Sequence, residues 1–135
     1  MTTRENILII DDDKDMVNAI RIILESKGYG VTSAYNSKEG LSRIEEKTPS
    51  LIILDVMMST DTEGFDFAYK LKSSKLYHGI PILMLTSFPQ EMARQGPEKF
   101  QHIMGENWPV SEFMEKPVDP DVLLATIKEI LEEKE

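Results

Sequence analysis

Short runs of apolar residues alternate along this chain with segments in which apolar residues recur every three or four positions. A short continuous apolar run is typical of a strand that is buried on both faces, and steps of three and four are typical of an amphipathic helix. The predicted strands lie at residues 7–10, 31–35, 51–54, 80–85 and 112–115, and the predicted helices at 16–27, 37–47, 65–71 and 120–131. The chain therefore alternates between strand and helix.

Residues that start and stop helices stand at the ends of these predicted helices. Gly28 follows the first helix and can adopt the positive φ that often ends one. Asn36 and Asp119 each precede a helix, where a side-chain oxygen can accept a backbone N–H. Asp13 and Asp15 lie at the start of the first helix, where negative charge suits the helix dipole. We expect these two acids to cap the helix or to face solvent, and not to bind metal.

The alternation of strands and helices predicts an α/β fold with a parallel sheet and right-handed crossovers. We expect a flavodoxin-like, doubly wound sheet of five parallel strands in the order 2-1-3-4-5, with helices on both faces. Residues 87–112 are the least regular part of the chain. Gly96-Pro97 interrupts any long helix there, so one or two short helical pieces are expected.

The composition predicts one acidic globular domain over residues 1–135, with no separate output domain. The net charge of −9 disfavours direct contact with nucleic acids or anionic membranes. No cysteine is present, which excludes disulfides and thiolate metal sites. The first residues lack the apolar core of a signal peptide, and no apolar run is long enough to span a membrane. A cytoplasmic location is expected.

Polar residues stand where four of the predicted strands end. Asp11 and Asp12 follow the first strand, Asp55 ends the third, Thr86 ends the fourth and Lys116 ends the fifth. The carboxyl ends of parallel strands meet at one edge of the sheet, where ligands bind in such folds. In the order 2-1-3-4-5 the first and third strands are neighbours. Asp11 or Asp12 is therefore expected beside Asp55.

Carboxylates that lie this close repel one another, and either a proton or a cation must relieve the conflict. Oxygen ligands without Cys or a nearby His favour a hard ion such as Mg²⁺. Mg²⁺ in turn favours phosphate chemistry, which needs a nucleophile in line together with cations and donors around the phosphoryl oxygens. Asp55 is the candidate nucleophile, and Lys116 and Thr86 are the candidate cation and hydroxyl donor.

Four motifs carry a resemblance that covers nearly the whole chain. They are residues 7–13 (ILIIDDD), 51–58 (LIILDVMM), 83–87 (LMLTS) and 113–117 (FMEKP). In this order and at this spacing they resemble the receiver domains of two-component response regulators. The resemblance implies a signalling protein, and not an enzyme apart from its own phosphorylation and dephosphorylation.

The resemblance also implies roles for individual residues. Asp11, Asp12 and Asp55 would bind Mg²⁺ together with the backbone carbonyl of Met57, and Asp55 would accept the phosphoryl group from a partner's phosphohistidine. Lys116 would pair with the phosphoryl oxygens, and in this family the Lys116-Pro117 peptide bond is cis. The donor would be a sensor histidine kinase or a phosphotransfer protein.

A switch is implied as well. Thr86 would turn its hydroxyl toward the phosphate, and Phe113 would rotate inward behind it, so that charge at Asp55 alters a surface for a downstream protein target. The surface comprises the segment before the fifth strand, that strand and the last helix. A homodimer through this surface is compatible with the family.

Two features depart from the family pattern. Ser59 stands where the family usually has proline, in a loop over residues 59–64 that is one residue longer than usual. The stretch from Thr86 to Lys116 is also longer than usual. We therefore hypothesise an altered partner surface in this region, so a standard dimer is not assumed.

Two other functions compete with the receiver interpretation. The chain also resembles haloacid-dehalogenase phosphatases, because it has Asp11 and Asp13 after a strand and Thr86 and Lys116 downstream. In that family Asp11 would be the nucleophile and Asp13 the acid/base. Against this, Asp55 would have no role and no cap domain fits the length. The third candidate is an interaction module that signals through its surface without phosphate.

Overall fold

The structure is a computed structural model that describes residues 5–55, 63–86, 112–115 and 118–134. For Phe65, Thr86 and residues 133–134 the description is limited to the backbone. The described strands are β1 (Asn6–Ile10), β2 (Gly30–Ala34), β3 (Leu51–Asp55), β4 (Ile82–Thr86) and β5 (Glu112–Glu115). The described helices are α1 (Lys14–Glu25), α2 (Ser37–Glu46), α3 (Glu63–Lys72) and α4 (Pro120–Lys134).

The five strands form one sheet in the order β2-β1-β3-β4-β5, and every neighbouring pair is parallel. This confirms the predicted doubly wound α/β fold and its strand order. Helix α1 lies on one face of the sheet and α2 and α3 on the other, because right-handed crossovers that run in opposite directions along a sheet place their helices on opposite faces. None of the described helices is both long and apolar enough to cross a membrane.

The apolar side chains of the sheet alternate between its two faces and form two core layers. The first, the α2/α3 layer, contains Leu8, Ile10, Ala34, Ile44, Ile52, Leu54, Phe67, Ala68, Leu71, Ile80, Ile82 and Met84. The second, the α1/α4 layer, contains Ile7, Ile9, Val17, Ile20, Leu24, Leu51, Ile53, Leu83, Leu85, Leu123, Ile127 and Ile130. Because both faces are covered, the central strands read as continuous apolar runs.

The predicted caps at the starts of three helices are confirmed by their hydrogen bonds. The Asp13 carboxylate caps α1 by accepting the N–H groups of Asp15 and Met16 at 3.0 and 3.2 Å. The Asn36 side chain caps α2. The first helix ends at Glu25, two residues earlier than predicted, and Gly28, whose φ is 86°, lies in the turn that follows. Asp119 likewise accepts N–H groups from the first turn of α4.

Two predicted strands, the second and the fourth, are shifted along the chain relative to the structure. We predicted the second strand one residue too late, because the N–H of Tyr35 donates to the Glu39 carboxylate at 2.8 Å and leaves the β ladder. We predicted the start of the fourth strand two residues too early. Pro81 has no N–H, and the N–H of Ile80 donates to the carbonyl of Tyr77, although Ile80 is buried as a strand residue would be.

Candidate functional site

The candidate site lies at the carboxyl edge of the sheet, where the chain leaves β1 and β3. These strands are adjacent, and Ile10 pairs with Leu54 in their register. Asp11 and Asp55 each come one residue after that pair, so the backbone brings them side by side. The connections from β1 and β3 lead to opposite sides of the sheet, and a crevice forms at such a point in doubly wound folds.

Three carboxylates converge in this crevice. One oxygen from each of Asp11, Asp12 and Asp55 can be chosen such that all three lie within 4.8 Å of one another. The Asp11 and Asp55 residues are only 1% and 3% exposed, whereas Asp12 faces solvent. We call these three residues the acidic cluster. Two of its members are enclosed by protein, and the third is exposed to solvent.

Backbone hydrogen bonds fix the position of Asp11 in the acidic cluster. Its own N–H donates to the carbonyl of Ala34 at 3.1 Å, which extends the pairing of β1 with β2 by one residue. Its carboxylate accepts the N–H of Asp13 at 2.9 Å. The hydrogen bond from Asp13 orients one oxygen of the Asp11 carboxylate and also fixes the short loop that leads into α1.

The electrostatics of the acidic cluster favour a cation. Two ionised carboxylates at this separation repel by on the order of 3 kcal/mol at the effective dielectric constant near 20 that suits protein sites. Three such groups, two of them buried, are therefore stabilised by positive charge placed among them. A divalent ion with oxygen ligands meets this need, and Mg²⁺ binds through a few carboxylates while it keeps several waters. The donor set of the acidic cluster fits Mg²⁺.

For Thr86 the structure describes the backbone position, and several other predicted site residues lie outside the described residues. Leu85 pairs with Asp55 across β3 and β4, and Thr86 is the next residue. Thr86 itself pairs with Glu115, the last residue of β5. Lys116 follows directly in sequence but lies outside the described residues, as do Met57 and the Lys116-Pro117 peptide bond. Ser59 and residues 87–111 also lie outside them.

Phe113 stands on β5 opposite Met84 of β4. Its side chain is partly buried and packs against the α2/α3 layer. A half-buried ring at a sheet edge can shift inward or outward without opening the main core, which is the property that a switch residue needs.

One contact between α2 and α3 was missed by sequence reasoning. The carboxylate of Glu63, the first residue of α3, accepts hydrogen bonds from both the N–H and the hydroxyl of Ser37, the first residue of α2. The two residues are 26 positions apart. No local pattern could have paired them, because only the packing of α2 beside α3 brings them together.

Comparison with known proteins decides the family. The family model described as Response regulator receiver domain matches residues 7–128. The chain belongs to this family. This receiver domain is 33% identical over 131 residues to the alkaline phosphatase synthesis transcriptional regulatory protein PhoP of Bacillus subtilis, a match that covers 97% of this chain and 50% of PhoP. The receiver domain thus spans half the length of that relative.

Two further similarities involve proteins of about the same length. An uncharacterised 14.6 kDa protein of Leptolyngbya boryana is 32% identical over 124 residues, covering 92% of this chain and 88% of the relative. A crystal structure of a CheY-like response regulator receiver domain protein from Methanospirillum hungatei is 32% identical with a TM-score of 0.78. That match covers 98% of this receiver domain and 97% of the other chain. Family membership favours the receiver interpretation over the haloacid-dehalogenase one.

Proposed function

We propose that this receiver domain accepts a phosphoryl group on the carboxylate of Asp55, in a reaction that depends on Mg²⁺. The observation that carries the proposal is the acidic cluster, in which the buried Asp55 carboxylate lies within 4.8 Å of those of Asp11 and Asp12 at the carboxyl edge of the sheet. The carboxylates of these residues and the backbone carbonyl of Met57 would hold the ion. Bound Mg²⁺ supplies positive charge that offsets the negative charge on the transferring group.

The transfer begins with a partner's phosphohistidine. A carboxylate oxygen of Asp55 attacks the phosphorus, the new O–P bond forms and the P–N bond breaks, and the electron pair of that bond returns to the imidazole nitrogen. The product is an aspartyl phosphate. Asp55 is suited to this step because the sheet fixes its backbone, which reduces the entropy cost of aligning the nucleophile.

Other residues of the chain bind the phosphoryl group on Asp55 and respond to it. We assign Lys116 to pair with the phosphoryl oxygens and Thr86 to donate its hydroxyl to them. The adjacency of Thr86 to Leu85, the register partner of Asp55, supports this assignment. The half-buried Phe113 then rotates further inward, and the surface around β5 changes.

The partners of this receiver domain follow from that chemistry. A sensor histidine kinase or a phosphotransfer protein supplies the phosphoryl group in the cytoplasm, and a downstream protein recognises the changed surface, with a homodimer as one form of that recognition. We further propose that residues 1–135 make up one receiver domain. The altered partner surface at Ser59 and residues 87–112 is part of the same proposal.

The decisive experiment measures beryllofluoride binding in the presence of Mg²⁺ by calorimetry, together with phosphotransfer from a phosphorylated histidine donor. Wild type should bind beryllofluoride and gain the mass of one phosphoryl group, and Asp55→Asn should do neither. Asp13→Asn is the matched control, since it makes the same chemical change two residues from Asp11 and asparagine still caps a helix well. It should behave as wild type.

The same proteins test the metal by stability. Mg²⁺ at a hundredfold excess over its Kd should stabilise wild type by about 2.7 kcal/mol, and Asp55→Asn by much less. If wild type binds neither beryllofluoride nor Mg²⁺, the phosphate-independent interaction module is the better description of this chain.

A further inference from the structure

Strand β2 forms one edge of the described sheet, so one side of its backbone has no neighbouring strand there. The N–H of Gly30 donates to the carbonyl of Glu5. The carbonyl of Ala34 accepts the N–H of Asp11, so Gly30 and Ala34 both face β1. Successive residues of a strand direct their N–H and C=O groups to alternate sides. The residues that direct these groups to the free edge are therefore Val31, Ser33 and Tyr35.

Two side chains of α2 occupy part of this free edge. The carboxylate of Glu39 accepts the N–H of Tyr35 at 2.8 Å, and Nε of Arg43 donates to the carbonyl of Ser33 at 3.3 Å. The two side chains lie on the same face of the helix, because the residues are one turn apart. Together they offer an acceptor and a donor, as the backbone of a neighbouring strand would. We call Glu39 and Arg43 the edge guard.

The strand itself carries little protection against pairing with another chain. Exposed strand edges are commonly blocked by charged residues, proline or a bulge. Residues 28–37 contain no charged residue and no proline, in a chain whose net charge is −9. The opposite edge of the sheet differs, because β5 begins and ends with the exposed acids Glu112 and Glu115. Protection of β2 therefore comes from side chains outside the strand.

A second copy of β2 is the partner that this free edge fits. Two copies related by a twofold axis at Ser33 would pair antiparallel, with Val31 opposite Tyr35 of the second copy. Opposite residues at hydrogen-bonding positions of such a pair exchange both of their backbone bonds. Most of these bonds would use the carbonyl of Ser33 or the N–H of Tyr35, and the edge guard holds both groups.

We infer that the edge guard keeps this receiver domain from pairing through β2 with a second copy of itself. A pair would have to displace Glu39 and Arg43 in both copies, and a backbone group that already has a partner gains little from a new one. The inference is separate from the proposed function, which concerns the acidic cluster and the surface around β5, at the other edge of the sheet.

The test measures the oligomeric state of variants by sedimentation velocity, alongside their urea unfolding midpoints. The variant Glu39→Ala/Arg43→Ala loses one negative and one positive charge, so its net charge stays at −9 and altered repulsion between copies cannot explain association. It should associate at concentrations about tenfold or more below those that wild type needs, since the edge groups no longer have a competing partner.

The matched control is Arg21→Ala/Glu45→Ala, which also keeps the net charge at −9. Arg21 donates to the hydroxyl of Ser33 and not to its backbone, and Glu45 is an exposed residue of α2. The control therefore removes the same residue types and leaves the edge guard in place. It should associate no more than wild type does.

A single introduced cysteine locates the interface, because the chain has no cysteine of its own. In the inferred pair Ser33 lies opposite Ser33 of the second copy, at a Cα separation of about 5.5 Å, which a disulfide can span. Ser33→Cys should form a disulfide-linked dimer under mild oxidation in the variant without the edge guard, and much less of it in the wild-type background. Val31→Cys should not cross-link, since it lies two residues from the twofold axis.

Three results would overturn the inference. The first is a Glu39→Ala/Arg43→Ala variant that associates no more than wild type while its unfolding midpoint falls, since the edge guard then only stabilises α2. The second is equal association of the control variant. The third is cross-linking of Val31→Cys as readily as Ser33→Cys, since the copies then meet elsewhere.

A milder variant covers the case in which the alanine variant does not fold. Glu39→Gln/Arg43→Gln also keeps the net charge at −9, and its amides hold the backbone groups of the edge more weakly than the charged side chains do. It should associate more than wild type and cross-link through Ser33→Cys, and failure to do so overturns the inference equally. None of these results depends on whether Asp55 accepts a phosphoryl group.

Discussion

At the scale of single residues, burial distinguishes acids that look alike in sequence. Asp11, Asp12 and Asp13 are consecutive, yet Asp11 is buried and the other two are exposed. Asp11 continues the line of β1 and bonds to Ala34, so its side chain stays inside the crevice. Asp13 lies where α1 begins, and its carboxylate caps that helix. Neighbouring residues of one type therefore have different surroundings.

A second residue, Tyr29, gives the structure a dependence on alkaline pH. Tyr29 is partly buried against the α1/α4 layer. Burial raises its pKa above the ordinary 10.0, and the negative charges of Glu5 and Glu132 raise it further. The folded protein therefore keeps the phenolic proton at a pH where the unfolded chain has begun to lose it. Stability is full below the unfolded pKa and falls as the pH rises through the folded one.

We predict that the Tyr29→Phe variant, in which this position cannot titrate, gains stability relative to wild type as the pH increases. The difference in the free energy of unfolding between the two proteins should be constant up to about pH 9 and then shift toward the variant. Urea unfolding between about pH 8 and 11 measures it. Tyr69→Phe, at an exposed tyrosine, is the control for loss of a hydroxyl. A pH-independent difference at Tyr29 would contradict the prediction.

At the scale of elements, α2 approaches β1 so closely that one position excludes a side chain. A Cβ at Gly40 would lie 2.6 Å from Cδ1 of Ile10 and 3.2 Å from its Cγ1, with Cζ of Phe67 at 3.4 Å. Ile10 directly precedes Asp11, so the fit of α2 against β1 also bears on the acidic cluster. Glycine is needed here for space, and not for an unusual φ.

We predict that Gly40→Ala destabilises the fold by on the order of 1 kcal/mol. Crowding costs about 1–3 kcal/mol, and the better helix propensity of alanine returns up to about 1. Ile10→Val removes the atom that clashes and by itself costs about 0.5–1.5 kcal/mol. The double variant should be more stable than the sum of the two losses predicts, as measured by urea unfolding.

Gly79→Ala serves as the control for this experiment. Apart from its chain neighbours, no described residue has an atom within 4 Å of the position that a Cβ at Gly79 would occupy. The substitution should change stability by less than Gly40→Ala does. If the losses in the free energy of unfolding from Ile10→Val and Gly40→Ala simply add in the double variant, contact with Ile10 is not the reason that position 40 excludes a side chain.

At the scale of the whole molecule, the net negative charge opposes folding. The chain carries 24 acidic and 15 basic residues, for a net charge of −9. Arg43 and Glu46 form an ion pair in which both side chains are largely exposed. Such a pair contributes little. Repulsion between carboxylates, including those of the acidic cluster, is therefore a general cost of folding that counterions reduce.

We predict that sodium chloride stabilises the protein in the presence of a chelator that removes divalent ions. The urea midpoint should rise between about 10 and 300 mM salt, as the Debye length falls from about 30 Å to below 8 Å. The double variant Glu45→Gln/Glu129→Gln has a net charge of −7 instead of −9. Its urea midpoint should therefore rise less with salt than that of wild type. A midpoint that falls with salt would show that attractive pairs outweigh repulsion.

Much of the fold could be predicted because its signals are local. The apolar runs of β1 and β3 and the caps at Asp13, Asn36 and Asp119 depend on residues a few positions apart, and the structure confirms them. The errors came where a competing partner took a backbone group, as Glu39 did with the N–H of Tyr35. The roles of Asp55, Thr86, Lys116, Met57 and Phe113 stay predictions.

The sequence by itself determined which residues form strands and helices along the chain, because hydrophobic periodicity and helix caps are local properties. The alternation of strand and helix predicted a parallel sheet, and in a parallel sheet the strand-end residues meet at one edge. Only the tertiary structure decided which acids are enclosed, how closely α2 fits against β1 at Gly40, and that Glu63 bonds to Ser37. These depend on residues far apart in sequence. Their contacts exist only once the helices have packed on the sheet, and no local pattern encodes them.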